Sequence, residues 1–376
     1  MKKYTSIISG LLILTAMSLG SCSRSEKNPK ELYDKCSSGV VMIMNQYYYT
    51  INLPDGEQLY FSDLVNGELK GLCLEKEEME KNKAISFGTG FFISKDGKIM
   101  TNRHVVSPYI EKSESKQLLK TFFDNITALL QYKQQEMSDQ YDQLSSQIQS
   151  NTYFDEFGNV TESPDNTQLR EQQDELRTEY NNLNESISNL NNIDMSEVTI
   201  ESTCSVSVAF NDSFVTNASD FKNCAVTKVS DDENADLAII QLTDKTTPQD
   251  RYVFHFLGDN KAKDELSFIS KIFVKDSQFN EPLKVQDPVC MIGYNQGIVL
   301  ASTQQGIKAQ ITAGNVSQEP DDTKILYNIS TLAGSSGSPV LNKYGDVVGV
   351  NFAKLNNTQN FNFGIPMSQI RKFLNL

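Results

Sequence analysis

Near the C-terminal end the chain reads Gly334-Ser335-Ser336-Gly337-Ser338-Pro339. Glycines around a serine let the backbone approach a carbonyl group closely and aim two N–H groups at its oxygen, so the chemistry on offer is attack of a hydroxyl on a carbonyl carbon. Gly/Ser clusters are usually plain loops, and here the position adds weight. An apolar run at 325–329 precedes the cluster, and Val340-Leu341, a turn at 343–346 and an apolar run containing Gly349 follow it. The spacing does not fit G-x-S-x-G, because Ser338 stands where the last glycine would be. A serine hydroxyl needs a base, and the chain has two histidines. His104 lies in Ile99-Met100-Thr101-Asn102-Arg103-His104-Val105-Val106, just after Gly88-Thr89-Gly90-Phe91-Phe92. His255 sits in the aromatic run Tyr252-Val253-Phe254-His255-Phe256, where a structural role is the natural reading. Asp236 opens an apolar run at 237–242, where a carboxylate is costly to bury without a cationic or hydrogen-bonding partner.

The elements that must position these residues come in three regimes. From 39 to 100, short apolar runs at 40–44, 47–51, 59–61 and 87–93 are divided by Pro54-Asp55-Gly56 and Lys95-Asp96-Gly97, which predicts β-strands. The pattern resumes at 196. Val198, Ile200, Cys204, Val206, Val208 and Phe210 alternate with polar residues, and runs at 237–242, 289–292, 325–329 and 347–352 follow before a short helical segment at 367–376. Repeated short strands with turns between them indicate an all-β sandwich or barrel. Between the two β regions, Leu119, Phe123, Ile126, Leu130, Met137, Tyr141, Leu144 and Ile148 keep a 4/3 spacing with one break at Lys133. Leu169, Leu176, Tyr180, Leu183, Ile187 and Leu190 do the same, with Gln173 in an apolar slot. This spacing predicts two antiparallel helices, a coiled-coil hairpin with arms roughly 40 Å long, the alternative being two helices packed flat on the β core.

Taken together, three ordered segments resemble a chymotrypsin-fold serine peptidase, similar to the bacterial high-temperature-requirement (Deg) type and to bacterial glutamyl endopeptidases. They are Gly88-Thr-Gly-Phe-Phe-Ile-Ser with Thr101-Asn-Arg-His104-Val-Val, Asp232 with Asp236-Leu-Ala-Ile-Ile, and Gly334-Ser-Ser336-Gly-Ser-Pro-Val-Leu-Asn with Gly345-Asp-Val-Val-Gly349-Val-Asn. Phe363-Gly364-Ile365-Pro366 resembles the family's closing strand. The order His, Asp, Ser separates the chain from subtilisins and α/β-hydrolases. The resemblance implies a mostly β fold, a double six-stranded β-barrel, with the helical hairpin at 111–192 inserted into a peptidase domain spanning 31–376. It implies Ser336 as nucleophile, His104 as general base and then acid, Asp236 as the residue orienting the imidazole, and the N–H groups of Gly334 and Ser336 as an oxyanion hole. It also places Ser330 at the floor of the P1 pocket and Asn351, Phe352, Ala353 and Lys354 along one wall. No acid stands at Ser330, so the device for Arg or Lys substrates is missing. Ser338 departs from the glycine of many relatives, and roughly 130 residues separate His104 from Asp236, which the insert accounts for. The sequence ends close behind this resemblance, so no PDZ module is expected.

Composition bounds the partners. Lys plus Arg total 34 against 48 Asp plus Glu, a formal charge of −14, so a phosphate backbone is disfavoured and no nucleic-acid partner is expected. Between 111 and 192 there are 15 acidic residues against 6 basic ones, most of the net charge. Lys2 and Lys3 precede an apolar run at 7–19, too short to span a membrane stably, which reads as a secretory leader. Leu19-Gly20-Ser21-Cys22 resembles the lipobox of bacterial lipoproteins, so residues 1–21 would be removed, Cys22 lipidated, and 22–30 left as a polar tether, the alternative being an ordinary leader with an incidental Cys. The expected place is the bacterial cell envelope, membrane-anchored. Cys36, Cys73, Cys204, Cys224 and Cys290 would then face an oxidising compartment, and their spacing assigns no pairs. No metal or cofactor is expected. The functional expectation is a lipid-anchored endopeptidase acting on polypeptides; the alternative is an inactive or weakly active relative that binds a protein partner through the hairpin.

Overall fold

The computed structural model describes residues 24–65, 67–108, 110, 112–232, 235–259, 279–354 and 362–376; the leader and Cys22 lie outside them, as do the side chains of residues 112–114, 353 and 354. The chain forms two compact units. The first comprises the described residues up to Tyr47, Lys83–Pro108 and Cys204–Leu376; the second comprises Tyr48–Asn82 and Tyr109–Thr203.

Strands β1 (Val40–Asn52), β2 (Ala84–Phe92), β3 (Lys98–Thr101), β4 (Thr199–Phe210), β5 (Lys222–Val229) and β6 (Ala238–Leu242) form an antiparallel sheet in the order β1-β2-β3-β6-β5-β4, and β4 pairs back onto β1 to close a barrel. The register runs Val40↔Phe91 to Tyr47↔Ala84 across β1 and β2, and Ala238↔Thr101 to Gln241↔Lys98 across β6 and β3. The unbroken apolar start of β1 follows from two buried faces. Val41 and Ile43 point into the barrel with Phe92, Ile99, Val206, Val208 and Ile240. Val40, Met42 and Met44 point the other way, into a core shared with Cys290, Ile292, Leu341 and Val350.

The second barrel repeats the device. Strands β7 (Pro288–Gly293), β8 (Gln310–Asn315), β9 (Ile325–Tyr327), β10 (Pro339–Asn342), β11 (Val347–Lys354) and β12 (Asn362–Pro366) are ordered β8-β7-β10-β11-β12-β9. The outer strands meet at a Val316–Tyr327 bridge, where Ser317 N–H donates to Leu326 O at 2.8 Å and Asn328 N–H to Asn315 O at 3.1 Å. Val289, Met291, Val340 and Val348 fill its interior, while their neighbours Cys290, Ile292, Leu341 and Val347 belong to the shared core. The fold is therefore mostly β, a chymotrypsin-like double barrel with an inserted helical region. The runs expected at 40–44 and 47–51 are one 13-residue strand. Strands β5 and β8 had no expectation, because most of β5 is exposed and no residue of β8 is fully buried, so the apolar pattern is thin in both.

In the second unit, α3 (Lys112–Ser150) and α4 (Asp165–Asn191) are joined by a hairpin of Thr152–Phe154 with Val160–Glu162. Gln173 Nε2 donates to Ser145 Oγ at 2.7 Å, and Gln134 Nε2 to Asn184 Oδ1 at 3.3 Å. The Gln in the apolar slot thus finds a polar partner on the facing helix. The earlier helices α1 (Pro29–Cys36) and α2 (Arg103–Val106) belong to the first unit, as does the closing α5 (Met367–Leu374). Among the described residues no helix is long and apolar enough to cross a membrane.

One expectation is corrected. The segment 24–28, expected as part of a free tether, is held down: the Arg24 guanidinium makes two bonds to the Asp346 carboxylate, at 2.5 and 2.8 Å, and lies over the rings of Phe279 and Tyr344. Asn28 then caps α1 with Glu31 in a reciprocal pair, so helix begins at Pro29. Asp346 is 3% exposed in its side chain, and a buried carboxylate requires such a partner. Of the cysteines, Cys73, Cys224 and Cys290 are free thiols. Burial, and to a lesser degree the neighbouring Cys36, pushes the Cys290 thiol up to about 12, which keeps it protonated.

Candidate active site

His104 stands on α2, one turn of helix entered from β3, and Asp236 lies just before β6, which pairs with β3. Strand pairing therefore brings together two residues that the sequence separates. Asp236 is then locked to the helix by its own groups. Its backbone carbonyl accepts from Arg103 N–H at 3.1 Å and from Asn102 Nδ2 at 2.9 Å, and its Oδ1 accepts from His104 N–H at 3.0 Å. The other oxygen, Oδ2, lies 2.6 Å from His104 Nδ1. A carboxylate at that distance holds the ring proton on Nδ1 and leaves Nε2 as an acceptor. The Asp236 side chain is 16% exposed and that of His104 42%, a partly buried carboxylate orienting a ring that solvent reaches.

Ser336 lies in the loop before β10, half-buried. Two glycines shape that loop. Gly334 has φ +91° and packs so closely on Tyr294 O and Gly297 N that a side chain there would collide; Gly337 has φ +86° and packs on Thr89 O and Thr101 Oγ1 in the same way. Thr89, on β2, grips the loop from the first barrel: its N–H donates to Ser336 O at 2.8 Å and its Oγ1 to Gly334 O at 2.8 Å. Ala333 O accepts from Gln296 N–H at 2.5 Å. The N–H groups of Gly334 and Ser336 make no hydrogen bond among the described residues, and none joins Ser336 Oγ to His104.

A family model described as the trypsin-like peptidase domain matches residues 199–350. The match covers Asp236 and Ser336 and leaves out the His104 segment. No curated protein matches the chain. Among solved structures, the serine endoprotease from Yersinia pestis aligns over 93% of this chain and 66% of its own, at 11% identity with a TM-score of 0.42. The chain thus spans slightly less than two thirds of that protein's length.

The residues expected around a specificity pocket divide. Ser330 is exposed. Phe352 is partly buried against the shared core and faces Phe363 with ring centroids 6.3 Å apart. The side chains of Ala353 and Lys354 lie outside the described residues. Asn351 is a correction: expected along the pocket wall, it is 2% exposed, with its side chain turned under Ser335. Strand alternation in β11 puts it on the face toward the serine loop. His255 does not join the His104–Asp236 pair. It lies edge-on to Tyr252, and its carbonyl accepts from Val347 N–H at 2.9 Å, a place between barrels. Thr89 escaped the sequence reading; its only signal is a hydroxyl between two glycines, Gly88 and Gly90, in an apolar strand. Among the described residues no group of three or more His, Cys, Asp or Glu could hold a metal ion.

Proposed function

We propose that the chain is a serine endopeptidase. Ser336 Oγ attacks the scissile carbonyl while His104 Nε2 takes its proton; Asp236 stabilises the imidazolium that results; the N–H groups of Gly334 and Ser336 receive the oxyanion. His104 then protonates the leaving amine, and water hydrolyses the acyl-enzyme by the same route. The observation that carries this reading is the 2.6 Å contact between His104 Nδ1 and Asp236 Oδ2, reinforced through the His104 N–H, because it leaves Nε2 basic and fixed. Oxyanion donors of this type are each worth about 3–4 kcal/mol in the transition state. The leader supports an exported enzyme carrying lipid on Cys22, which would hold it on a bacterial membrane facing polypeptide substrates. A second reading, a partner-binding protein with little activity, is favoured by the tip of the helical hairpin, where Phe154 is 75% and Phe157 88% exposed.

The test is labelling by a fluorophosphonate together with turnover of a fluorogenic peptide library. Wild type should label and cleave, Ser336→Ala should do neither, His104→Ala should lose turnover by roughly 10⁴-fold or more, and His255→Ala should keep it. Labelling retained in Ser336→Ala would overturn the nucleophile. A wild-type chain that neither labels nor cleaves would favour the second reading.

A further inference from the structure

Three donors converge on a single carbonyl beneath the candidate nucleophile. Ser335 O accepts from Ser338 N–H at 3.1 Å, from Ser338 Oγ at 2.6 Å and from Asn351 Nδ2 at 3.0 Å. This carbonyl belongs to the peptide unit that carries the Ser336 N–H. The unit is planar with N–H and C=O pointing oppositely, so a carbonyl held inward by three bonds keeps the N–H directed outward. Hydrogen bonds to the oxygen also polarise the peptide and strengthen its N–H as a donor.

Asn351 is in turn oriented from below. The Tyr327 hydroxyl lies 2.8 Å from Asn351 Oδ1 and 2.9 Å from Phe363 O. The single hydroxyl proton is shared between Asn351 Oδ1 and Phe363 O, and because Ser335 O can only accept, the amide is satisfied only with Nδ2 toward Ser335. Tyr327 is wholly buried, and burial holds its phenol well above the usual tyrosine range, so it stays a donor at any working pH. The backbone of Asn351 is pinned to the same loop: its N–H donates to Ser338 O at 2.9 Å and its carbonyl accepts from Gly337 N–H at 2.8 Å. Ser338 is itself fully buried, and its hydroxyl fits because Gly293 on β7 has no side chain; a Cβ there would collide with Ser338 Oγ.

We propose that Asn351 and Ser338, keyed by Tyr327, are positioning residues that hold the Ser335 carbonyl inward and so keep the Ser336 N–H aimed at the oxyanion. The inference rests on the peptidase reading and extends it to a site that the sequence assigned to substrate binding. It explains Ser338 as a second clamp on the carbonyl rather than a tolerated departure from glycine. A group that acts through the oxyanion donor works in the transition state and not in substrate binding, so its loss lowers kcat and leaves KM.

The experiment uses the full-length chain, with a fluorogenic peptide selected on wild type and the rate of fluorophosphonate labelling as an independent readout. Asn351→Ala should lower kcat and the labelling rate by the same factor, on the order of 10–100-fold. KM should stay within about twofold, and the acid limb of the kcat–pH profile should not move, since the His104–Asp236 pair is untouched. Tyr327→Phe should change the same quantities in the same direction by less, and Ser338→Ala should cost kcat several-fold. A folded Asn351→Ala chain with kcat intact would overturn the inference, as would a raised KM with kcat retained, which would return Asn351 to the pocket wall. If Asn351→Ala fails to fold, Ser338→Ala decides, since it removes a single oxygen: unchanged kcat refutes the clamp. A wild-type chain that the fluorophosphonate does not label would overturn the peptidase reading and this inference with it, whereas a labelled wild type beside unaffected variants overturns the inference alone.

Discussion

Thr89 is fully buried, and every hydrogen-bonding group it has is engaged. Besides its two bonds to the serine loop, its Oγ1 accepts from Tyr294 N–H at 3.0 Å and its carbonyl from Thr101 Oγ1 at 2.7 Å. Thr89→Val keeps the shape and removes one oxygen, which strands Gly334 O and Tyr294 N–H in the interior. Each buried group left without a partner costs about 1–3 kcal/mol, so thermal unfolding should report a loss on the order of 2–5 kcal/mol. Labelling should slow as well, because Gly334 is a proposed oxyanion donor. Thr89→Ser should recover most of both; a Val variant as stable as wild type would show that the staple carries no weight. At this scale the sequence made the proposed triad legible, since His104, Asp236 and Ser336 announce themselves by type, neighbours and order. It did not make their supports legible. Asn351 is an ordinary strand residue whose facing depends on register, and β11 has register irregularities against both β10 and β12, so a placement carried over from a family resemblance does not settle which way its side chain turns.

Among the elements, those with two buried faces were plain in the sequence, as in β1 and β7, where consecutive apolar residues serve two cores. Those with one thin face were not. The N-terminal segment is the clearest failure, because nothing local distinguishes a docked Arg24 from a free one. Its anchor, Asp346, lies more than three hundred residues away. The Arg24 and Asp346 side chains are 10% and 3% exposed, and Asn342 Nδ2 also approaches Asp346 Oδ2 at 3.3 Å. Removing one partner of a buried ion pair leaves an uncompensated charge, at a cost of about 3–5 kcal/mol. Arg24→Ala should therefore lower the melting temperature substantially, and Asp346→Ala likewise. The double variant should be less destabilised than the sum of the two singles. An Arg24→Ala chain that melts with wild type would mean that the first helix, not the guanidinium, holds this segment in place.

For the molecule as a whole, the helical insertion splits the peptidase-like segments. The trypsin-like match begins at residue 199, beyond the insertion, although the strands before His104 complete the first barrel. The apolar clusters of both barrels are built without any residue from 111–192. Within the second unit, the Tyr48, Tyr60 and Met79 cluster also draws nothing from that range. The two ends of the hairpin are adjacent, since Lys116, Phe123, Leu190 and Ile193 line one cavity. Replacing 111–192 by a short Gly/Ser loop should therefore leave a folded chain that fluorophosphonate labels at close to the wild-type rate, because closing a shorter loop costs little entropy. Circular dichroism and the labelling rate check this directly. An unfolded product would show that the helices support the β structure, as in the packed-flat alternative. The hairpin carries most of the net negative charge and an exposed aromatic tip, so its loss should be felt in macromolecular recognition. A protein substrate that wild type cleaves should be turned over more slowly by the deletion chain, while a short peptide is cleaved as before; equal rates on both would leave the hairpin outside substrate selection.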